Sequence, residues 1–278
     1  MKPVSKPSRA EAWVQSARHL LDEHERIYNL IVEVEKPGLE DEVSKAIERR
    51  VDAFLAEHNC LPVQTVSDTI FPANEYKSGG LQKVLKYPTD VYPHIQSLPA
   101  NRWGTYALRL TERKCSDGTT IKPLELVIDK LKSRLETAER VNSGPPRAIY
   151  ELDLNLAPME LKLYDVESDY DNPRGGQCLS HISLKLGPDK ELYMTAVYRY
   201  QFFVQKALGN FKGLARLQAC IAREAKIPVG PLVCHATFAS LELGTGEGGT
   251  KRWGRGELER LVTDCENILA QSNEPVAA

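Results

Sequence analysis

No uninterrupted apolar run in the sequence approaches the ~18–20 residues that a membrane-spanning helix needs, so no helical anchor is expected within it. Its first residues, MKPVSKPSRAEAW, lack an apolar core and a small-residue cleavage pattern. No secretion signal is read there, and a cytoplasmic location is expected. An excess of one charge is also missing: 36 lysines and arginines against 38 aspartates and glutamates leave −2 over 278 residues. That excludes a global electrostatic pull toward nucleic acid or an anionic membrane, so an anionic ligand must be met by a few local arginines. There is no C-x-x-C pair. Cys60, Cys115, Cys178, Cys220, Cys234 and Cys265 are dispersed, which argues against a disulfide framework and a zinc site and for reduced, mostly buried thiols, one of them reactive. His19, His24, His58 and His94 show no mutual spacing suited to a metal.

What is present is ordinary for a folded protein: 42% hydrophobic and 27% charged residues, enough length to bury a core, and no composition break that divides the chain. One domain over residues 1–278 is expected, with residues 1–12 as a flexible start. Apolar positions recur at helical spacing from Trp13 to Leu21 and from Val43 to Leu55, with a strand from Ile27 to Glu35 between them. Proline and glycine punctuate residues 72–101, which read as irregular with short elements. Pro123 opens a strongly periodic helix. Strand-like alternation follows at Ala148–Leu152, Leu161–Tyr164, Leu179–Leu186 and Leu192–Tyr200, the last two joined through Gly187-Pro188. A helix from about Phe203 to Ala225, a strand from Val229 to about Leu243 and a helix from about Glu257 to Ala270 complete the chain. Mixed elements without strict βαβ alternation favour an α+β fold. The glycine-rich run 244–256, GTGEGGTKRWGRG, lacks the spacing of a phosphate loop and reads as a mobile loop.

The informative block runs from Gly175 to Glu242: GGQCLSHISLKL, then LYMTAVYRYQFFVQKALGNFKGLARLQACIA, then VGPLVCHATFASLE. It holds a cysteine starting a strand, a hairpin partner ending in arginine, an asparagine opening a helix and a strand starting Val-Gly. Cys178, Arg199, Asn210 and Val229-Gly230 supply these parts in order, and the block resembles the catalytic half of thymidylate synthase and its pyrimidine-nucleotide hydroxymethylase relatives. With a weaker match over residues 68–147, the resemblance covers about two-thirds of the chain. It implies a mixed, largely antiparallel sheet with flanking helices, a homodimer, and one-carbon transfer from 5,10-methylenetetrahydrofolate to C5 of a pyrimidine nucleotide.

Those residue types suit that chemistry. The C5 carbon of a pyrimidine is a poor nucleophile until something adds at C6, and a thiolate adds readily and leaves again. Cys178 would be that thiolate, with Arg199 as the cation that favours it and as a bidentate grip on a phosphate. A carboxamide both donates and accepts, so Asn210 can complement O4 and N3–H of uracil. In the family asparagine here goes with uracil and aspartate with cytosine, so uracil is favoured. The resemblance further implies that Arg147, in Gly144-Pro145-Pro146-Arg147, reaches the phosphate of the partner subunit. It also places Asp68 where the family has a proton-handling glutamate.

The sequence departs from the family at Tyr200 (a serine there), Phe202 (the folate-binding aspartate), Trp103 (a tyrosine), and Ser240 and Glu242 (the histidine and tyrosine that hold the ribose). Tyr106 is expected to compensate for Trp103, and Ser240 with Glu242 to grip a ribose diol. These departures leave open a methyl or a hydroxymethyl product, and a nucleotide-binding protein without turnover. A cysteine hydrolase using His181 or His235 is a third class. His181 lies three residues along a strand from Cys178, which puts the two on opposite faces.

Overall fold

The computed structural model describes residues 3–98, 101, 104–115, 118–140, 150–153, 178–244 and 252–272. Strand β1 (Val4–Lys6) leads into helix α1 (Arg9–Asp22), where the Ser8 side chain accepts the N–H of Glu11 as N-cap. Residues 4–12 are therefore structured rather than flexible: Val4 is buried and in parallel register with Val32. A short N-terminal strand gains its order from the sheet edge it joins, which local patterning does not reveal. Strand β2 (Arg26–Val34) and helix α2 (Glu42–Glu57), capped by the Asp41 carboxylate on Ser44 N–H at 2.7 Å, follow.

Residues 63–111 are more helical than their glycines and prolines suggest. They form α3 (Val63–Ile70), α4 (Ala73–Val84), α5 (Tyr87–Asp90), α6 (Tyr92–Ile95) and α7 (Tyr106–Thr111). Gly79 and Gly80 kink α4, Gly80 at φ +64°, while Pro88 and Pro93 sit in the first turns of α5 and α6, where a missing N–H costs nothing. A two-residue ladder, β3 (Arg113–Lys114) with β4 (Thr120–Ile121), precedes α8 (Pro123–Arg140), the helix opened by Pro123.

The main sheet continues with β5 (Tyr150–Asp153), β6 (Leu179–Leu186), β7 (Leu192–Tyr198), β8 (Gln201–Phe202) and β9 (Val229–Ser240). Its order is β1-β2-β9-β7-β6-β5, with β8 also on β9. The longest ladders, β2 with β9 and β6 with β7, are antiparallel, whereas β9 pairs with β7 and β8, and β2 with β1, in parallel. This is the expected α+β class with a mixed sheet. The candidate strand at Leu161–Tyr164 and the central part of the glycine-rich run fall outside the described residues. The ends of that run are tied together: Arg252 N–H donates to Gly244 O, and buried Trp253 donates its indole N–H to Leu241 O at 2.8 Å.

In place of one helix from Phe203, the chain forms a π-helical turn (Phe203–Ala207) and then α9 (Leu208–Ala225). Helix α10 (Arg255–Ser272) ends the described chain. Helix α9 lies against α3 at close range. A Cβ on Gly209 would come within 2.6 Å of Val66 Cβ, and one on Gly213 within 2.7 Å of Ser67 O. Two glycines one turn apart thus set this helix spacing, which fixes the first turn of α9, with Asn210, against α3. One sheet face packs into the core through Leu30, Val32, Ile182, Met194, Ala196 and Leu232. The other carries Tyr28, 71% exposed and in ring contact with Phe238, together with Ile31 and Tyr193. Among the described residues, no helix is long and apolar enough to cross a membrane, and no group of three or more His, Cys, Asp or Glu could hold a metal.

Candidate active site

Cys178 immediately precedes β6 and Arg199 immediately follows β7, so the hairpin brings them side by side; Arg199 N–H donates to Cys178 O at 2.8 Å. Hairpin closure, with Gly187 N–H on Glu191 O at 2.9 Å, sets the register from Leu186–Leu192 to His181–Val197, and a bulge between His181 and Leu179 then brings Cys178 next to Arg199. Cys178 is half-buried. Burial pushes its thiol up from the ordinary range, while Arg199 and then Lys206 pull it down, so the cations reduce the desolvation penalty without cancelling it. The other thiols separate from it: Cys220, Cys234 and Cys265 are buried, and burial raises Cys220 and Cys265 to about 12. Cys60 and Cys115 are half-buried, so half of the six thiols, not most, are fully enclosed.

Tyr106, the first residue of α7, reaches the same strand end. Its phenolic oxygen accepts the N–H of Leu179 at 3.0 Å, and burial pushes the phenol up to about 12. One turn along, Arg109 shares that helix face. Burial is the main cause of its lowered pKa; Tyr106 opposes, and the like charge of Arg199 lowers it further. Two guanidiniums thus act on each other near the half-buried thiol. Sequence reasoning found Arg199 and missed Arg109; the available signal was its three-residue spacing from Tyr106.

Asn210 sits in the first turn of α9, buried, and its carboxamide makes no hydrogen bond with any of the described residues. Its amide atoms are not among the fully enclosed unsatisfied groups, so they open onto accessible space. A buried, unengaged carboxamide is costly unless something else satisfies it. Lys206, on the π turn, is likewise without a side-chain hydrogen bond or ion pair among the described residues. Burial lowers its pKa, and Cys60, Glu242 and Cys178 oppose that shift in this order. No spacing in the sequence singles out Lys206.

The remaining candidates are placed differently. Asp68, on α3, accepts from Gln64 Nε2 at 2.8 and 2.9 Å and pairs with Arg216 of α9 at 3.5 Å, so it ties the two helices together. Glu242 is buried and its Oε2 accepts Val204 N–H at 3.2 Å, while Ser240 Oγ accepts the N–H of Glu242 at 3.2 Å. Burial raises the Glu242 carboxyl well above its usual range; Arg252 and the backbone N–H groups of the π turn oppose that shift. Glu242 Oε2 and Ser240 thus support the start of the π turn, while Glu242 Oε1 is buried with no hydrogen-bond partner among the described residues. Arg147 and Trp103 lie outside the described residues.

Phe202 and Tyr200 pack ring to ring at 4.6 Å, and the Arg252 guanidinium lies 5.8 Å from the Phe202 ring centre. They form an aromatic surface beside a cation. No protein-family model matches the chain, and no curated protein is significantly similar to it.

Proposed function

We propose that the chain transfers a one-carbon unit from methylenetetrahydrofolate to C5 of a uracil nucleotide through a covalent adduct on Cys178, giving a methyl or hydroxymethyl product. The observation that carries this reading is the Cys178 thiol with Arg199 held next to it by the hairpin, together with a buried carboxamide, Asn210, that no described residue engages. The Cys178 thiolate adds to C6, negative charge moves onto C5 and O4, and the Asn210 amide N–H stabilises O4 while its oxygen accepts N3–H. Arg199 and Arg109 hold the phosphate, whose charge relieves their mutual repulsion. Tyr106, fixed on Leu179 N–H and protonated at neutral pH, orders the base side of the site.

The aromatic surface of Phe202 and Tyr200 offers a flat face to an aromatic ring of a folate, and Arg252 a cation for the carboxylates of its glutamate tail. When bound, the folate supplies an electrophilic methylene. Arg252 would meet its carboxylates and Phe202 its ring. The outer sheet face fits a second copy of this chain. Apolar side chains on neighbouring strands (Ile31, Val197, Val233, Tyr28 and Phe238) are interspersed with few charges, which suits an isologous stack of two identical faces. Tyr28→Glu is expected to halve the mass in sedimentation.

A second reading, nucleotide binding without turnover, is favoured by the upward displacement of the Cys178 thiol. Release of tritium from a C5-labelled uracil nucleotide separates the two, because it requires addition at C6. Release that disappears in Cys178→Ala supports transfer, and absence of release supports binding alone.

A further inference from the structure

One residue more than a regular ladder needs lies between the hairpin and the candidate nucleophile. From Leu186–Leu192 to His181–Val197 the two strands pair step for step; β6 then runs two residues, His181 to Leu179, while β7 runs one, Val197 to Tyr198. Ser180 is the extra residue of this bulge. Its hydroxyl donates to Val197 O at 3.0 Å. The burial pattern carries the same shift. Ile182, Leu184 and Leu186 fill the core, so unbroken alternation would turn Ser180 inward and Leu179 outward, yet Leu179 is buried and Ser180 only half-buried. Without the bulge the register would continue as Ser180–Tyr198, Leu179–Arg199 and Cys178–Tyr200. With it, Leu179 pairs with Tyr198 and Cys178 meets Arg199, whose N–H donates to Cys178 O at 2.8 Å.

The end of β7 is held from its other side, where Thr237 of β9 donates its hydroxyl to Arg199 O at 2.8 Å. The end of β6 is therefore the partner that must be brought into place. Two contacts hold it in the bulged register: the Ser180 hydroxyl on Val197 O, and the Tyr106 phenolic oxygen that accepts Leu179 N–H at 3.0 Å. We propose that Ser180 is the positioning residue of Cys178, its hydroxyl closing the bulge that sets the nucleophile opposite Arg199 instead of Tyr200. From that place the Arg199 cation opposes the upward effect of burial on the thiol. Ser180 itself touches no reacting atom; it acts through the backbone of β6. This role rests on the reading of Cys178 as a nucleophile but concerns the free protein, so its test involves no nucleotide.

Ser180→Val and Ser180→Thr have nearly the same shape and differ in the hydroxyl, while Ser180→Ala removes the hydroxyl without adding bulk. Amide hydrogen exchange followed by NMR reads the bulge directly. In Ser180→Ala and Ser180→Val the Arg199 amide is expected to exchange about fivefold faster, the factor that corresponds to one ordinary hydrogen bond. The Gly187 and Leu192 amides, bonded to Glu191 O and Pro228 O at the closed end of the hairpin, are expected to keep their rates, whereas a general loss of stability would speed all three alike. The rate of Cys178 alkylation by iodoacetamide, followed by peptide mass spectrometry from pH 5.5 to 10, gives the second readout. Its midpoint is expected to rise by about half a pH unit in both variants, about threefold less thiolate below the midpoint, and Ser180→Thr to restore both readouts. An unchanged Arg199 amide and Cys178 midpoint in both variants, equal acceleration of all three amides, or a Ser180→Thr protein that behaves as Ser180→Val would overturn the proposal. The expected shifts without tritium release from a labelled nucleotide would reject the transfer reading and leave the role of Ser180 standing; release without those shifts would do the reverse.

Discussion

The Arg199 N–H is hydrogen-bonded to the Cys178 carbonyl at 2.8 Å. The candidate nucleophile and its cation are thus joined through the backbone of one hairpin, so their spacing is set by strand register rather than by flexible side chains. The guanidinium still opposes the upward effect of burial on the thiol.

Replacing Arg199 by Met removes that opposition. The Cys178 thiol then rises further, and its alkylation rate at pH 7 falls about tenfold for each pH unit by which its midpoint moves up. Alkylation against pH checks this; binding of a uracil nucleotide, followed by calorimetry, should weaken in parallel as the phosphate loses a bidentate partner.

Asn210→Asp replaces a group that donates and accepts with one that only accepts when ionised. Uracil nucleotide binding is expected to fall by tenfold or more, and cytosine nucleotides, which offer an amino group at C4, to gain relative to it. Calorimetric titration with both bases gives the ratio.

Gly209→Ala places a methyl where Val66 Cβ is 2.6 Å and Val63 O 2.8 Å away. Neither neighbour is the free end of a flexible side chain, so α3 must move off α9. Urea unfolding should show a loss of about 1–3 kcal/mol, with nucleotide affinity reduced as well because α9 carries Asn210.

Glu242→Gln tests the buried carboxyl through pH. The folded pKa is raised above the unfolded value, so the native state binds the proton more tightly. This stabilisation is full below the unfolded pKa and is lost as pH rises toward the folded one, at up to about 1.4 kcal/mol per pH unit. Stability from urea unfolding between pH 4.5 and 8 should therefore fall more steeply in the natural chain than in Glu242→Gln.

Strands β6, β7 and β9 are legible in the sequence because alternation is a local property, and so is the meeting of Cys178 and Arg199 at one end of a hairpin, although the bulge between Leu179 and His181 that shifts their register is not. What escapes depends on distant partners. The order of residues 4–12 comes from β2, and the fate of Glu242 comes from backbone N–H groups nearly forty residues earlier. Residues 72–101 mislead because Pro88 and Pro93 open helical turns there instead of ending them. Asp68 has a plausible chemical type, yet its carboxylate is shared with Gln64 and Arg216, a pairing visible only once α3 lies on α9. Arg109 becomes a candidate only because folding brings α7 to the start of β6, where Tyr106 accepts Leu179 N–H and Arg199 acts on the Arg109 guanidinium.

Covalent addition of Cys178 to C6 of a pyrimidine nucleotide is tested most directly by mass spectrometry of the intact protein after incubation with 5-fluoro-uracil and 5-fluoro-cytosine nucleotides and methylenetetrahydrofolate. A mass increase is expected with the uracil nucleotide, located on the Cys178 peptide and absent in Cys178→Ser. A protein that remains unmodified with every nucleotide, while still binding them, would contradict covalent addition.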